Sequence, residues 1–252
     1  MKRGLSVKTQ DNKKQYKYDY PMADNTVDAV VFGIGNDHTF PGRNELHVLL
    51  IERRGDPFKG RWALPGGYLE ENETIDDAVL RELKEETSVE LSWMEQLYTF
   101  GDPGRDPRGR VISTAYLAVV RASDVIVEAG DDAAKARWFP ISVLPKLAFD
   151  HDKIIKMGLQ RLRSKVLWQP VGINLLPETF TLTELQTVYE TILGRKLDRR
   201  NFRAKVLKLG VLTPNGKKQQ GGRPAIIYRF NRDIYKGLQE QGVEFEIRYE
   251  VR

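Results

Sequence analysis

The chain has 252 residues, of which 40% are hydrophobic and 30% charged, with a formal net charge of +5 and no cysteine. The lack of cysteine excludes disulfides, thiolate zinc sites and a cysteine nucleophile. No apolar stretch approaches the ~18 residues that cross a bilayer, and the basic N-terminal residues lack the apolar core of a signal peptide. We therefore expect a cytoplasmic protein without membrane association, with a loose N-terminal arm over residues 1–20.

The apolar pattern predicts two domains. Strands are predicted at Thr26–Ile34, Glu45–Arg53, Ser113–Val120 and Ala136–Phe139. Helical periodicity predicts a helix over Thr74–Val89 and another that begins at Asp150 as a cap. The Pro- and Gly-containing stretch 168–179 has no clear period, so we place the boundary there. The expected domains are residues 21–167 and 168–252.

The helix predicted over Thr74–Val89 carries three glutamates at helical spacing. Glu82, Glu85 and Glu86 are at i, i+3 and i+4, so their carboxylates lie on one face. Like charges so close repel, and a hard divalent cation such as Mg²⁺ would relieve the repulsion while it binds substrate phosphates. We expect these glutamates to be the catalytic and metal-binding residues. A solvated acidic helix face is the alternative.

The same helix follows a glycine turn with a long, specific spacing. Gly67 is followed after five residues by Glu73, and after seven more by the Arg-Glu-Leu-Lys-Glu-Glu run that begins at Arg81. This spacing resembles the Nudix box, and Arg81 can reach back to Glu73 to fix the turn. The resemblance implies an α/β fold, the Nudix α/β/α sandwich with a mixed sheet, in which the box handles a diphosphate and a metal.

Two positions depart from the Nudix pattern. Ser88 stands where the family has glycine, at the predicted helix end, where a positive φ is costly for any other residue. Lys135 stands where related sequences often carry an acid. Neither change removes a proposed metal ligand. Together they predict that hydrolysis is weak or absent, with Mg²⁺ as a possible cofactor.

Arginines and aromatic residues flank the box in two segments, 53–62 and 100–110. They supply guanidinium donors for phosphates and aromatic surface for a base. The second segment resembles the corresponding stretch of ADP-ribose-directed Nudix proteins, whereas an ordinary surface turn is the alternative. The predicted ADP-ribose-binding residues, with the two glycines of the turn, are Arg53, Arg54, Phe58, Trp62, Gly66, Gly67, Arg105, Asp106 and Arg108.

The C-terminal part of the chain is strongly basic. Thirteen lysines and arginines and two aspartates give a net charge of +11 between Arg195 and Lys236, while the rest of the chain has a net charge of −6. This asymmetry indicates a polyanionic partner, with a merely solvated basic face as the alternative. The predicted elements are, in order, a helix at Leu182–Gly194, a turn, a helix at Arg199–Gly210, and a hairpin of Val211–Thr213 with Ala225–Phe230.

This order of elements is typical of a winged helix-turn-helix that binds double-stranded DNA. The second helix has an apolar stripe of Phe202, Val206 and Leu209, with basic residues off that stripe, as expected for a helix in the major groove. The hairpin loop 214–224 is a basic wing suited to phosphate contacts. A role in protein contacts is the alternative. The predicted DNA-binding residues are Arg199, Arg200, Asn201, Arg203, Lys205, Lys208, Lys217, Lys218 and Arg223.

A Nudix box followed by a winged helix resembles the NrtR family, the Nudix-related transcriptional regulators of NAD metabolism. The run FDHDKIIKMGLQRLR at residues 149–163 is also similar to that family. The resemblance implies a homodimeric repressor of NAD biosynthesis or salvage genes, which binds a palindromic operator and responds to ADP-ribose as effector. The second hypothesis is a Mg²⁺-dependent ADP-ribose pyrophosphatase with an accessory winged helix. Turnover and DNA-binding assays separate the two.

Overall fold

The computed structural model describes residues 19, 22–35, 45–121, 136–219 and 224–243. Of the predicted site residues, Arg223 lies outside the described residues. Lys135 and nearly all of the predicted N-terminal arm also lie outside them. No helix in the described part of the chain has the length and apolar character needed to cross a membrane.

The first part of the chain folds around a seven-stranded mixed sheet. Its strands are β1 (Asp24–Ile34), β2 (Leu46–Glu52), β3 (Trp62–Ala63), β4 (Gly66–Tyr68), β5 (Trp93–Phe100), β6 (Val111–Arg121) and β7 (Ala136–Pro140). The strand order is β3-β2-β1-β6-β5, while β4 pairs with β1 and β7 with β2. The central pair β1–β6 is parallel, and the neighbouring β1–β2 and β5–β6 pairs are antiparallel.

Helices cover both faces of this sheet. Helix α1 (Ile75–Thr87) packs on one face and helix α2 (His151–Lys165) on the other. Side chains of β1 alternate between the two cores, since Val27 and Val31 lie beneath α1 whereas Val30 lies beneath α2. This is the period-two pattern of a strand that is buried on both faces. The predicted α/β/α sandwich with a mixed sheet is confirmed.

The predicted strands correspond to β1, β2, β6 and β7, with ends shifted by one or two residues. The other three strands were not predicted. Strands β3 and β4 are too short to show a hydrophobic period. Strand β5 has an ordinary length, but an irregularity between Gln96 and Tyr98 shifts its register against β6 and interrupts the expected alternation.

Helix α1 begins at a cap and ends at a strained residue. The Thr74 hydroxyl accepts a hydrogen bond from the backbone N–H of Asp77 at 3.1 Å, which satisfies a donor of the first turn. After Thr87, Ser88 has φ 53° and ψ 23°, a left-handed conformation. A Cβ atom in this region costs about 1–2 kcal/mol. The positive φ therefore explains why the Nudix pattern has glycine at this position.

The second part of the chain is a winged helix-turn-helix. Its elements are a 3₁₀ helix (Val171–Leu175), β8 (Thr179–Thr181), α3 (Leu182–Leu193), α4 (Arg199–Lys208), β9 (Leu212–Lys218), β10 (Ala225–Phe230) and α5 (Arg232–Glu240). Its three strands are in the order β8-β10-β9. The predicted helices α3 and α4 and the hairpin are confirmed. The structure adds β8, which is too short to show a period, and α5.

Strand β9 is longer than predicted and includes two of the predicted wing residues. Lys218 pairs with Ala225 and Lys217 with Ile226 across the hairpin. Both lysines were predicted to lie in a flexible loop, but they belong to a paired strand and are exposed. Their backbone is therefore fixed by the ladder of β9 and β10, and Lys218 Nζ lies 3.6 Å from Glu184 Oε1 of α3.

The two parts of the chain share one hydrophobic core. Leu162 of α2, Ile173 of the 3₁₀ helix and Ile192 of α3 all belong to it. Arg163 Nε of α2 also donates a hydrogen bond to the carbonyl of Ile192, at 3.0 Å. Residues 170–176, within the predicted boundary region, are buried. The domain division at this point stays a prediction, since the core continues across it.

We predict that Ser88→Gly raises the free energy of unfolding by about 1 kcal/mol, because glycine adopts a positive φ without the Cβ clash. Denaturant unfolding of the full chain, with an unchanged m value, measures the effect. Ser142→Gly is the control. It changes an exposed turn serine that is not among the described residues with positive φ, so glycine should not stabilise it. If both variants shift stability equally, strain at Ser88 is not the reason.

Candidate functional site

A cavity of about 290 Å³ lies beside helix α1, where strands β1 and β4 meet the loop after β5 and the start of α2. Its size is at the lower end of the roughly 300–1,000 Å³ range of ligand sites. The predicted ligand-binding residues that line it are Arg53, Arg54, Gly66, Gly67, Arg105, Asp106 and Arg108. The fold therefore brings seven of these nine residues, from separate segments, to one cavity.

Phe58 and Trp62 are not among the residues that line this cavity. Phe58 packs edge-on against Phe149, with ring centroids 5.0 Å apart. Trp62 belongs to β3 and packs against Phe139 of β7 at 4.6 Å. The aromatic residues that do line the cavity are Phe149 and Tyr68, and neither was predicted. Tyr68 lies within the Nudix box and Phe149 begins the run 149–163, but neither is a charged position of the box, so only the fold shows that they line the cavity.

Four arginines place positive charge in the cavity wall: Arg53, Arg54, Arg105 and Arg108. Burial, together with the charge of Arg108, lowers the pKa of Arg53. Arg53 Nε donates to the carbonyl of Pro57 at 2.8 Å, and its guanidinium carbon lies 4.7 Å from the ring centroid of Phe149. An anion in the cavity would relieve the repulsion and accept hydrogen bonds from free guanidinium N–H groups. The wall also contains Asp28, Glu52, Glu86 and Asp106, so an anionic ligand would bind through the guanidinium N–H groups that these carboxylates leave open.

Asp106 orients Arg108. Asp106 is 4% exposed and accepts hydrogen bonds from the Arg108 backbone N–H at 2.9 Å, from Nε at 3.0 Å and from Nη2 at 2.6 Å. Burial opposes the charge on Asp106, but these hydrogen bonds outweigh it and hold its pKa below the ordinary value. The Arg108 guanidinium carbon lies 5.2 Å from the ring centroid of Tyr68. Asp106 therefore fixes one of the cavity's cations in place.

A buried ionic cluster lies at the base of the cavity. Arg105 donates from Nε and Nη2 to the two carboxylate oxygens of Asp150, at 3.2 and 2.7 Å. Asp28 Oδ2 lies 3.6 Å from Arg105 Nη2 and accepts a hydrogen bond from Ser113 Oγ. Asp150 precedes α2 at the cap position, as predicted, but its side chain makes no capping hydrogen bond. Its carboxylate is bound to Arg105 instead.

His151, the first residue of α2, completes this cluster. The backbone N–H of Leu64 donates to His151 Nδ1 at 2.8 Å, so in the neutral ring the proton is on Nε2, 3.5 Å from Asp28 Oδ1. Burial lowers the pKa of His151. Sequence reasoning missed this cluster. Its one sequence signal is a charged Asp28 inside a strand that is otherwise apolar, since buried charges are rare unless paired.

Gly66 and Gly67 allow the backbone to approach the Nudix helix. The Gly66 N–H donates to Glu86 Oε2 at 2.9 Å. A Cβ on Gly66 would lie 2.1 Å from the Val27 carbonyl oxygen, and a Cβ on Gly67 would lie 2.2 Å from Glu82 Oε1. A side chain at either position would displace backbone or a buried carboxylate. These glycines therefore line the cavity and also position the glutamates.

Arg81 lies at the centre of the Nudix box. It donates to Glu73 from Nε at 2.9 Å and from Nη2 at 2.7 Å, and its Nη1 lies 2.7 Å from Glu82 and 3.4 Å from Glu85. The hydrogen bonds from Arg81 lower the pKa of Glu73 to about 2. The predicted contact between Arg81 and Glu73 is confirmed. The same cation also neutralises two of the three predicted metal ligands.

The three glutamates are not arranged as a metal site. Within the residues that the structure describes, no group of three or more His, Cys, Asp or Glu side chains could hold a metal ion. Glu82 and Glu85 contact Arg81, and Glu86 accepts from Gly66. Burial raises the pKa of Glu86 to about 8, which favours its neutral form near pH 7. A cation at these glutamates would have to compete with Arg81 for Glu82 and Glu85 and with the Gly66 N–H for Glu86.

Helix α4 presents a basic face opposite its buried side, which holds Phe202 and Val206 as predicted. The predicted DNA-binding residues that are exposed on it are Arg199, Arg200, Asn201 and Lys208. Arg203 and Lys205 are half-buried. Arg203 Nη2 donates to the Thr183 hydroxyl at 2.8 Å, so this arginine links α4 to α3 and is less available to a partner than predicted.

Caps at three helix ends fix the position of this basic face. Thr181 and Glu184 form a capping box at the start of α3, and Gly194 ends that helix with φ 69°. Asp198 caps α4 by accepting from the backbone N–H of Asn201 at 2.7 Å. Because each cap satisfies free helix-end groups, the turn between the two helices is held at both ends.

Two family models match the chain. The NUDIX domain matches residues 26–157, and the NrtR DNA-binding winged helix domain matches residues 172–230. A protein of Acinetobacter baylyi named ADPR responsive transcriptional repressor NtrR is 34% identical over 219 residues, which cover 85% of this chain and 84% of that protein. The chain belongs to the NrtR family. The expectation drawn from the order of the two motifs is confirmed.

The fold of this NrtR-family chain also matches a solved structure, Shewanella oneidensis NrtR complexed with a 27mer DNA. The two are 35% identical with a TM-score of 0.74, and the match covers 84% of this chain and 95% of that chain. An ADP-ribose pyrophosphatase of Methanocaldococcus jannaschii is 41% identical over 150 residues, which cover 60% of this chain and 80% of that protein. The sandwich followed by a winged helix is thus the architecture of the NrtR family.

Proposed function

We propose that the protein is a ligand-controlled, DNA-binding transcriptional repressor whose Nudix domain binds ADP-ribose as effector. One observation carries the proposal: a cavity with four arginines and a winged helix with an exposed basic helix occur in one chain and share one core. The A. baylyi relative, named for repression in response to ADPR, extends over both parts. A regulator of this kind acts on DNA in the cytoplasm, and genes of NAD biosynthesis or salvage are the expected targets.

The charges and rings of the cavity support a nucleoside diphosphate sugar. Arg54 and Arg108 offer guanidinium donors to phosphate oxygens, and the Asp106 carboxylate holds Arg108 in place. Phe149 and Tyr68 offer aromatic surface to a base at the same cavity. The M. jannaschii relative, which is named for action on ADP-ribose, matches the part of the chain that contains these residues at 41% identity.

The basic helix and the wing support the contact with double-stranded DNA. Arg199, Arg200 and Asn201 are in the first turn of α4, exposed, where a recognition helix contacts base edges in the major groove. Lys217 and Lys218 are exposed on the wing strand, where they can bind phosphates without reading sequence. Arg203, Lys205, Lys208 and Arg223 complete the proposed DNA-binding set.

ADP-ribose would act by shifting a population. A ligand that binds one arrangement of the two domains better than the other increases the population of that arrangement. By linkage, ADP-ribose then changes the affinity for DNA by the same factor by which DNA changes the affinity for ADP-ribose. The test is a titration of the full chain with a fluorescent duplex, selected from a random-sequence library by this chain, with and without ADP-ribose. We expect the DNA affinity to change with ADP-ribose. An unchanged affinity contradicts the proposed function.

We predict that Arg200→Ala and Lys217→Ala each weaken DNA binding, the second almost equally on all sequences because a phosphate contact carries no base information. Affinity should also fall roughly a hundredfold over a fourfold rise in salt if about four phosphate contacts form. Fluorescence anisotropy measures both effects. Lys84→Ala, which removes an exposed lysine on α1, is the control and should bind as the wild type does. Wild-type affinity in both test variants would exclude this DNA surface.

The second candidate function is an ADP-ribose pyrophosphatase with an accessory winged helix. The charged positions of the Nudix box and the M. jannaschii relative favour it. The geometry opposes it, because Arg81 neutralises Glu82 and Glu85 while Glu86 is hydrogen-bonded to the backbone of Gly66. We infer that the chain binds ADP-ribose without hydrolysing it efficiently. Magnesium, if it binds, would need these carboxylates to leave their present partners.

We predict that turnover of ADP-ribose with Mg²⁺ is far below the median enzyme rate of ~10 per second, because catalysis needs a tighter geometry than binding does. Chromatographic detection of AMP measures the rate. Glu82→Gln serves as the background control, and the wild type should not exceed it by more than about tenfold, far less than nucleophile activation by a metal supplies. Robust Mg²⁺-dependent turnover in the wild type alone would restore the enzyme hypothesis.

We further propose a symmetric homodimer on a palindromic operator. A single winged helix buries about 600–1,000 Å² of its surface on DNA, and this contact is seldom specific enough to select one genomic site. Two copies related by a twofold axis would place their recognition helices about 34 Å apart, one helical turn of DNA, or a multiple of it. We expect light scattering of the full chain to give twice the 28.9 kDa chain mass at micromolar concentration. A monomer that binds a half-site as tightly as the palindrome would contradict this proposal.

A further inference from the structure

Helix α2 connects the cavity to the winged helix. Its first residue, His151, lines the cavity, and its last turn contains Leu162, which packs in the core shared with α3. With 15 residues, the helix is about 22 Å long. Gly158, midway along it, lies close enough to β1 that a Cβ would be 3.1 Å from Val30 Cγ1. The helix is thus held along its length.

A buried ion pair lies at the cavity end of α2. The side chains of Arg105 and Asp150 are 4% and 9% exposed and form two parallel hydrogen bonds. Asp150 occupies the cap position of α2, where a carboxylate ordinarily accepts from the free N–H groups of the first turn. Here the Asp150 side chain makes no capping bond, and the N–H groups of Lys153 and Ile154 donate to the Asp150 backbone carbonyl. Both carboxylate oxygens of Asp150 accept from Arg105 at the start of α2.

The other end of α2 contacts the helix-turn-helix directly. Arg163 Nε donates to the carbonyl of Ile192 in the last turn of α3. The Arg163 side chain also lies against Gly194, where a Cβ would be 3.4 Å from its Nη2. Helix α3 contacts the proposed recognition helix α4 in two ways. Arg203 donates a hydrogen bond to Thr183, and Tyr189 packs on Phe202. A shift of α2 is therefore passed to α4 through packed groups.

We propose that the Arg105–Asp150 pair is the contact through which occupancy of the cavity reaches the winged helix. The inference rests on the proposed function, since it takes ADP-ribose as the cavity's ligand. A diphosphate that draws the Arg105 N–H groups into the cavity removes the donors of the Asp150 carboxylate, whose charge then lies unpaired at the start of α2. Arg105 bound to Asp150 and Arg105 bound to the diphosphate are the two states, and α2 carries the difference to α3 as a rigid connector.

The test is a double titration of the full chain, which measures ADP-ribose affinity by calorimetry and DNA affinity with and without ADP-ribose. The DNA probe is the duplex selected by the wild-type chain. Asp150→Asn keeps the size of the side chain but loses the charge that holds Arg105. We expect this variant to bind ADP-ribose, while the effect of ADP-ribose on DNA affinity falls from the roughly 5–150-fold usual for coupled sites to less than about twofold.

Asp102→Asn is the matched control. It removes the exposed pair of Asp102 with Lys153, at 3.7 Å, which joins the same loop to the same helix outside the buried cluster. Its coupling should equal that of the wild type. Arg163→Met tests the far end of α2 and keeps the inference open to refutation if Asp150→Asn does not fold. It should leave ADP-ribose affinity unchanged and lower the coupling.

Each outcome has one consequence. Lost coupling in every folded variant of the pair Asp150→Asn and Arg163→Met, with ADP-ribose binding intact and Asp102→Asn normal, supports the inference. Wild-type coupling in either folded variant overturns it and leaves the proposed function standing. If ADP-ribose does not change the DNA affinity of the wild-type chain, the proposed function and this inference are both wrong.

Discussion

The two-sided burial of helix α2 is the constraint on which the rest of the structure depends. The helix packs its middle against β1 and its last turns against α3, so one hydrophobic core serves both the Nudix sheet and the winged helix. Neither part can move far without exposing apolar surface, which costs about 25 cal/mol for each Å². The two parts are therefore joined by packing around α2 and not only by the connecting chain.

The cavity follows from a second constraint, the placement of several arginines close together. Each of its ordered arginines is held by a carboxylate or a carbonyl: Arg105 by Asp150, Arg108 by Asp106, and Arg53 by the carbonyl of Pro57. These acceptors stabilise the fold around the cavity, because an unpaired buried charge costs much free energy. A ligand therefore has to offer phosphate oxygens that compete with these acceptors for the arginine N–H groups.

In the Nudix box, too, the charged side chains are paired with groups of the same chain. Arg81 contacts the carboxylates of Glu73, Glu82 and Glu85, and Gly66 donates its backbone N–H to Glu86. The box thereby ties α1 to β4 and closes one wall of the cavity. In this arrangement the acidic helix is a structural part of the cavity wall.

The sequence by itself determined what depends on near neighbours and regular spacing. The Nudix box, the strained position of Ser88 and the basic face of α4 all follow from residues close together in the chain. The tertiary structure alone decided what depends on distant segments. Asp28, Arg105 and Asp150 come from β1, a loop and the start of α2, and no local period relates them. Pairing of such residues is set by strand register and helix packing, which is the physical reason that the cavity's aromatic wall and its buried ion pair appear only in the fold.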